Sequence, residues 1–276
     1  MPDRSPFDTL ALTYDEDFTS SAIGQLQRKR VWEFLAAYVN ADKPLKILEI
    51  NCGTGEDALK LAAMGHNVIA TDASAKMIEK AEAKKRAYNV RFITCPFDDL
   101  QSTFQDQQFD LIFSNFGGLN CIDENDLKKL SGVLSKLLCN NGKLFFVLMG
   151  DRCIWEIAHY GIRGKFKTAF RRIKGSATFG VNGHSIKVCY HAPKTMRKLF
   201  SSDFTASAQY PVGLYIPPTY LEGRYKNDPS KLENLYIKEL KHNSAFWANY
   251  ADHYCIVFDK TNSQHENNFH TRIFSC

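Results

Sequence analysis

A carboxylate and two glycines stand together at the end of an apolar run, Leu45-Lys46-Ile47-Leu48-Glu49-Ile50-Asn51-Cys52-Gly53-Thr54-Gly55. Glycine admits positive φ and carries no side chain, so such a turn lets bare backbone approach a ligand. The run before it reads as a buried strand, and Glu56 opens a helical pattern through Leu59, Leu61, Ala62 and Ala63. A second strand, Asn67 to Thr71, ends in Asp72. An acid about 20 residues beyond the glycines is placed to accept hydrogen bonds from both ribose hydroxyls of an adenosine. Strand, glycine turn, helix, strand and acid therefore predict a site for an adenosine cofactor.

Two cofactor classes fit this pattern. Counted from Gly53, the run Gly53-Thr-Gly55-Glu-Asp-Ala58 satisfies the dinucleotide fingerprint G-x-G-x-x-G/A, which would make the chain an NAD(P)-dependent oxidoreductase. Counted from Glu49, the run Glu49-x-Asn51-x-Gly53-x-Gly55 resembles the first motif of class I S-adenosylmethionine (SAM)-dependent methyltransferases, (Asp/Glu)-x-Gly-x-Gly-x-Gly. Asn51 replaces its first glycine, and Asn is the non-glycine residue that most readily takes a left-handed conformation. Charge favours the second reading. Glu49, Glu56 and Asp57 would repel a pyrophosphate at this helix N-terminus, whereas SAM has no phosphate and carries cationic sulfonium and ammonium groups.

The resemblance runs closely over about residues 1–150. Val90 to Thr94 reads as a third strand, followed by Cys95-Pro96-Phe97-Asp98-Asp99-Leu100 where the family has Gly-Asp-x-x-x-Leu. The family's adenine-binding Asp falls on Pro96, which leaves backbone and Phe97 to flank the adenine. Phe109 to Phe116 resembles the family's fourth strand. Asp126 to Leu138 has helical spacing, Asn140-Asn141-Gly142 is read as a break, and Lys143 to Leu148 as the fifth strand. The resemblance implies SAM as cofactor and S-adenosylhomocysteine as product, held by Tyr14, Glu49, Asn51, Gly53, Gly55, Asp72, Ala73, Met77, Pro96, Phe97, Asn115 and Phe116. Asn51 and Pro96 also leave open a degenerate, non-catalytic SAM-binding protein.

The implied fold is α/β: a Rossmann-like seven-stranded, mostly parallel sheet with the last strand antiparallel, sandwiched by helices, with an inserted α/β lid. The expected organisation is an N-terminal cap over 1–40, the SAM-binding core over 41–150, and a substrate lid plus the end of the sheet over 151–250. The last core strand follows over 251–262 and a flexible tail over 263–276. In the cap, Phe7-Asp8…Tyr14-Asp15 resembles a segment that closes over SAM in many small-molecule methyltransferases; Tyr14 and Phe18 equally suit a plain packing role. Arg28 to Val39 reads as a helix with Val31, Phe34, Leu35 and Tyr38 on one face. For Arg28 and Arg30 a solvated helix face is preferred to contact with a SAM carboxylate.

Composition agrees with a cytoplasmic protein. The 276 residues are 44% hydrophobic with a net charge of +5, enough for a large core and too little for a strong nucleic-acid signal. The polar, acidic start is no signal peptide, and no apolar run is long enough to span a membrane. Eight cysteines lack any C-x-x-C pair, so they read as reduced thiols, and no metal site is expected.

After the fifth strand, Cys153 to Ile173 carries apolar residues near helical spacing, interrupted by Gly161 and Gly164, with a basic opposite side of Arg163, Lys165, Lys167, Arg171, Arg172 and Lys174. Its readings are a solvated lid face, a site for an anionic or lipid-like substrate, or peripheral contact with a membrane; nucleic acid is disfavoured. Thr178 to His191 reads as a hairpin turning at Asn182-Gly183, followed by a helix, a strand near Thr205–Pro211, a helix around Lys231–Leu240 and the last strand, His253 to Phe258. Methyl transfer needs a base only where the acceptor must lose a proton. His159 and His191 are the candidates, each weighed against a structural role. Ser114-Asn115-Phe116-Gly117 lacks the two prolines of the base-methylating Asn-Pro-Pro motif. Trp155, Tyr160, Tyr215, Tyr220 and Trp247 suggest a small apolar or aromatic substrate, with oxygen favoured over nitrogen as acceptor.

Overall fold

In the computed structural model, the described residues are 6–39, 43–86, 88–181, 184–225 and 228–261. The expected Asn182-Gly183 turn, the opening residues and the tail lie outside them. Among the described residues nine strands form: β1 (Lys46–Ile50), β2 (Asn67–Asp72), β3 (Val90–Thr94), β4 (Phe109–Ser114), β5 (Leu138–Met149), β6 (Ser176–Val181), β7 (His184–Cys189), β8 (Phe204–Val212) and β9 (His253–Lys260). Seven make one sheet in the order β3-β2-β1-β4-β5-β9-β8, and β6–β7 is a separate hairpin. Strands β1 to β5 pair in parallel, and β9 runs antiparallel to both β5 and β8. This is the implied Rossmann-like sheet, including its antiparallel last strand.

The strands are near-continuous apolar runs because both faces of the sheet are covered. Side chains alternate between two cores with the period of a strand. Leu48, Ile112, Phe146 and Phe258 join one core with helices Glu124–Leu137 and Pro193–Phe200. Ile47, Leu111, Phe113, Phe145 and Val257 join the other with helices Ala22–Val39 and Glu56–Ala63. The strand order reverses at β1, between β2 and β4, which opens a crevice beyond their carboxyl ends.

Two local expectations need correction. Asn140-Asn141-Gly142 does not separate helix from strand: β5 already begins at Leu138, which pairs with Phe109, and the next pair is Leu111 with Lys143. The three residues are looped out within one long strand. The expected helix over Cys153–Ile173 is broken into Ile154–Gly161, Phe166–Ala169 and a 3-10 turn, Arg171–Lys174. Gly164 sits at φ +69° between the first two, a conformation no helix continues through.

Candidate active site

The glycine turn after β1 is left-handed at three positions, Asn51 (φ 56°), Gly53 (φ 55°) and Gly55 (φ 81°). Asn51 therefore takes the conformation expected of the glycine it replaces. Its side chain ties β1 to β4: Nδ2 donates to the carbonyl of Asn115 (3.1 Å) and Oδ1 accepts from Ser114 Oγ (2.6 Å). A Cβ at Gly118 would fall 2.1 Å from Asn51 Cγ, so only glycine fits there.

Asp72, at the end of β2, accepts the Gly53 amide on Oδ2 (2.9 Å) and the Ser74 amide on Oδ1 (2.8 Å). Burial pushes its pKa up, and those amides offset part of the rise. The N-terminal cap closes over the turn. Asp15 accepts from Thr54 Oγ1 (2.5 Å) and pairs with Lys84 (2.8 Å), while Asp8 accepts from Ser74 Oγ (2.6 Å). Tyr14 is packed above Gly53, whose Cβ, if present, would meet the tyrosine ring at 3.6 Å. Burial raises the Tyr14 hydroxyl to about 12.

Beside Tyr14 lies a small polar cleft lined by Arg28, Glu49, Asn51, Asp57, Asn115 and Phe116. Glu49 is buried, and its Oε2 has no hydrogen-bond partner among the described residues. Burial raises its pKa well above the carboxylate range; the Asp57 charge adds to this and Arg28 opposes it. Arg28 pairs with Asp57 at 2.7 Å, and Asp57 also accepts from Trp32 Nε1 (2.7 Å) and Asn115 Nδ2 (2.8 Å). The preferred solvated-face reading of Arg28 and Arg30 is thus corrected. Both point inward: Arg28 because Asp57 at the start of the next helix supplies its counter-charge, Arg30 because it pairs with Glu33 at 2.6 Å and donates to Asn243. A cleft offering an unpartnered carboxylate beside an arginine fits an α-amino acid zwitterion, the methionine end of SAM.

A cavity of about 440 Å³ extends from this point. One end is walled by Asn51, Gly53, Asp72, Ala73, Met77, Pro96 and Phe97, the other by Phe179, Ile186, Val188 and Tyr190 of the hairpin and by Tyr220. Tyr14, Arg28 and Phe116 border both cavity and cleft. Every cofactor candidate except Gly55 therefore faces cavity or cleft. A Cβ on Gly55 would instead strike Phe92 (2.8 Å) and Ala81 (2.9 Å), so this glycine packs the turn against β3 and the helix after β2.

Neither histidine candidate lines the cavity. His191 is buried with Nε2 3.0 Å from the Ile122 carbonyl, a contact that fixes the start of helix Pro193–Phe200. His159 lies on the outer helix between the rings of Tyr160 and Tyr220; desolvation and the nearby Arg163, Arg224 and Lys165 lower its pKa. The histidine that does line it is His253, at the start of β9, with Nδ1 3.2 Å from Asp252 Oδ2 and its ring edge-on to Phe116. Sequence reading missed it, although the first residue of a last strand beside the sheet's carboxyl ends was a signal available to find it.

Also missed was a buried charge network at the insert end. Arg172 donates to Asp252 Oδ1 (2.6 Å), Glu156 Oε1 (2.8 Å) and the Asp252 carbonyl (2.8 Å), while Arg171 meets Glu156 through two bonds (2.7 and 3.0 Å). These two arginines were expected on the solvated basic face. They turn inward because Glu156 and Asp252 would otherwise be buried without counter-charges. Burial opposes ionisation of Asp252, yet His253 and Arg172 outweigh it and hold the carboxyl well below its usual range.

Residues 47–142 match the family described as a methyltransferase domain. The matched span runs from β1 through β4 and includes the glycine turn and Asp72. Over 108 residues it is 35% identical to the tRNA 5-carboxymethoxyuridine methyltransferase of Escherichia coli K12, covering 37% of this chain and 41% of that protein. It is 33% identical over 92 residues to the ubiquinone biosynthesis O-methyltransferase of Rickettsia felis, covering 33% and 36%. The chain spans about two fifths of the length of these curated relatives. Among solved structures, a Pyrococcus horikoshii OT3 protein superposes with a TM-score of 0.57 at 19% identity, covering 90% of this chain and 98% of that one. The Burkholderia thailandensis 1,6-didemethyltoxoflavin-N1-methyltransferase superposes with a TM-score of 0.54 at 15% identity, covering 95% and 93%. At such identities the likeness is one of fold.

Proposed function

We propose that this protein transfers a methyl group from SAM to a small apolar or aromatic molecule, with oxygen the favoured acceptor atom. One observation carries the reading. A cavity lined by Asp72 adjoins the polar cleft of Glu49 and Arg28 and is walled elsewhere by apolar side chains of the insert. Asp72 would hold the ribose diol, Phe97 would flank the adenine, and Glu49 and Arg28 would take the ammonium and carboxylate. SAM supplies an already activated methyl, which an acceptor lone pair attacks in line as the bond from sulfur to methyl carbon breaks.

The chain's own residues then have three tasks. Tyr14 and Phe116 exclude water and align the two ligands. Tyr190, Phe179 and Tyr220 bind an apolar acceptor. His253, which lines the cavity with Nδ1 3.2 Å from Asp252 Oδ2, would accept the proton a hydroxyl acceptor releases. The name of the Rickettsia felis relative, an O-methyltransferase, supports oxygen as the acceptor atom.

Thermal denaturation with SAM, S-adenosylhomocysteine, NADH and NADPH tests the cofactor, since a specific binder raises the midpoint by mass action. The expected result is a shift with SAM and S-adenosylhomocysteine alone. A shift with a nicotinamide cofactor instead would replace this reading with the oxidoreductase one. Methyl-labelled SAM incubated with phenols, catechols and aromatic amines then tests the acceptor, with label expected on the hydroxylated compounds.

A further inference from the structure

Charge is distributed very unevenly along this chain. Residues 157–202 contain ten of its 35 Lys and Arg and none of its 30 Asp and Glu, so this stretch carries +10 and the other 230 residues carry −5. Arg171 and Arg172 are neutralised by Glu156 and Asp252, and the other eight cations are exposed. Apolar residues of the same stretch face outward too: Ile162 is 87% exposed, Phe166 62% and Ile173 54%, with Phe170 and, just before the stretch, Ile154 close behind. They alternate with Arg163, Lys165, Lys167 and Lys174, none of which pairs with a carboxylate among the described residues.

We propose that the face formed by Ile154–Lys174 docks on an anionic membrane surface, its isoleucines and phenylalanines entering the headgroup boundary and its cations meeting lipid phosphates. An interface of this kind needs apolar side chains and cations side by side, which is the pattern here. RNA would engage the cations and stack on the phenylalanines, yet would leave three isoleucines with nothing to contact. A second protein surface would cover the isoleucines but strand the intervening cations in a desolvated patch, where charged residues are depleted.

The cavity adds a second, independent argument. Tyr220 lines it, is about half exposed, and lies stacked against Tyr160 of helix Ile154–Gly161, with ring centroids 6.3 Å apart. The chamber therefore opens beside the proposed docking face, where a membrane-dissolved acceptor would enter. That last step rests on the methyltransferase reading; the docking itself does not.

Sedimentation with vesicles tests the proposal. The intact chain should pellet with phosphatidylcholine vesicles containing roughly a third phosphatidylglycerol and stay in the supernatant with phosphatidylcholine alone, and high salt should release it. Ile162→Ser/Phe166→Ser and Lys165→Glu/Lys167→Glu alter only exposed side chains, and each pair should weaken partitioning about tenfold or more. The thermal shift with S-adenosylhomocysteine should be the same for both variants and the parent, which separates a failed surface from a failed cofactor site. Absence of pelleting by the parent chain, or pelleting unaffected by both variants, would overturn the proposal. So would tighter retention on unfractionated tRNA than on anionic vesicles, or elution as a dimer that the Ile162/Phe166 variant converts to monomer.

Discussion

The sheet and the insert use the same apolar residue types to opposite ends. Leu48, Ile112 and Phe146 are fully enclosed between two helical layers, whereas Ile162, Phe166 and Ile173 point away from the molecule. Their charged residues are reversed as well. The insert buries Glu156 and Arg172 together near its root, while its outer cations pair with no carboxylate among the described residues. Hydrophobic periodicity therefore shows that a segment has two faces, but not which face the protein keeps for itself. For strands covered on both sides the question does not arise, whereas for a broken helix in an insert it does.

The contrast breaks most readily at the insert's anchor. Replacing Arg172 by Ala leaves buried Asp252 with only His253, and Glu156 with only Arg171, as a charge partner among the described residues, and should cost about 3–5 kcal/mol in chemical denaturation. Acid acts on the same contact. A carboxyl depressed in the folded state contributes its full stability above the ordinary aspartate pKa and loses it as pH falls toward the folded value. The Asp252 contribution should accordingly persist through mild acid and vanish only in stronger acid, and Asp252→Asn should remove that pH dependence.

A cavity in the sheet comes next: Leu48→Ala should cost about 2–5 kcal/mol by the same measurement. At the cofactor site, Asp72→Asn should weaken SAM binding by about 1–3 kcal/mol in calorimetric titration, the scale of a charge-assisted hydrogen bond. Equal affinity would remove Asp72 from the ribose. The two glycines should part company. Gly53→Val, facing Tyr14, should abolish binding in a folded protein, whereas Gly55→Val should unfold the turn, because its side chain would enter the space of Phe92 and Ala81.

Glu49 has the opposite sign to Asp252. Burial raises its pKa in the free protein, and a bound ammonium would lower it again. SAM affinity should therefore rise with pH through the free-protein Glu49 pKa, with proton uptake by buffer during binding below it. Titrations in two buffers of different ionisation enthalpy read this directly, and pH-independent binding would separate Glu49 from the ammonium. The smallest effect should fall on the insert's outer face. Ile162→Ser should change stability by no more than about 0.5 kcal/mol, although the same replacement in the sheet would be severe.

The sheet was legible because every signal in it is local: an apolar run, a turn residue, an acid at the strand end. Asn51 shows how far such reasoning reaches, since its left-handed backbone followed from its residue type at a motif glycine's position. The charge network was illegible for the converse reason. Arg172 and Asp252 are 80 residues apart, and nothing near either one announces the other. A shorter gap, 29 residues, was enough to hide Arg28, whose partner Asp57 looked like one more acid near a turn. Gly55 was misplaced because a motif fixes backbone shape without saying which glycine faces ligand and which faces core.

Asp252 touches three separate stretches of chain: Gln27 of the N-terminal helix at 3.1 Å, Arg172 of the insert at 2.6 Å, and the neighbouring His253 at the head of the last strand. A cover moored in this way is no free flap, because swinging it whole would tear a buried ion pair out of the cap and the sheet at once. If the insert covers an acceptor as proposed, passage into the chamber falls to the parts beyond the mooring, the β6–β7 hairpin and the ring of Tyr220. Amide exchange should therefore be fast along β6 and β7 and slow at Asp252 and His253, dividing the cover into a shutter that breathes and a frame that stays shut.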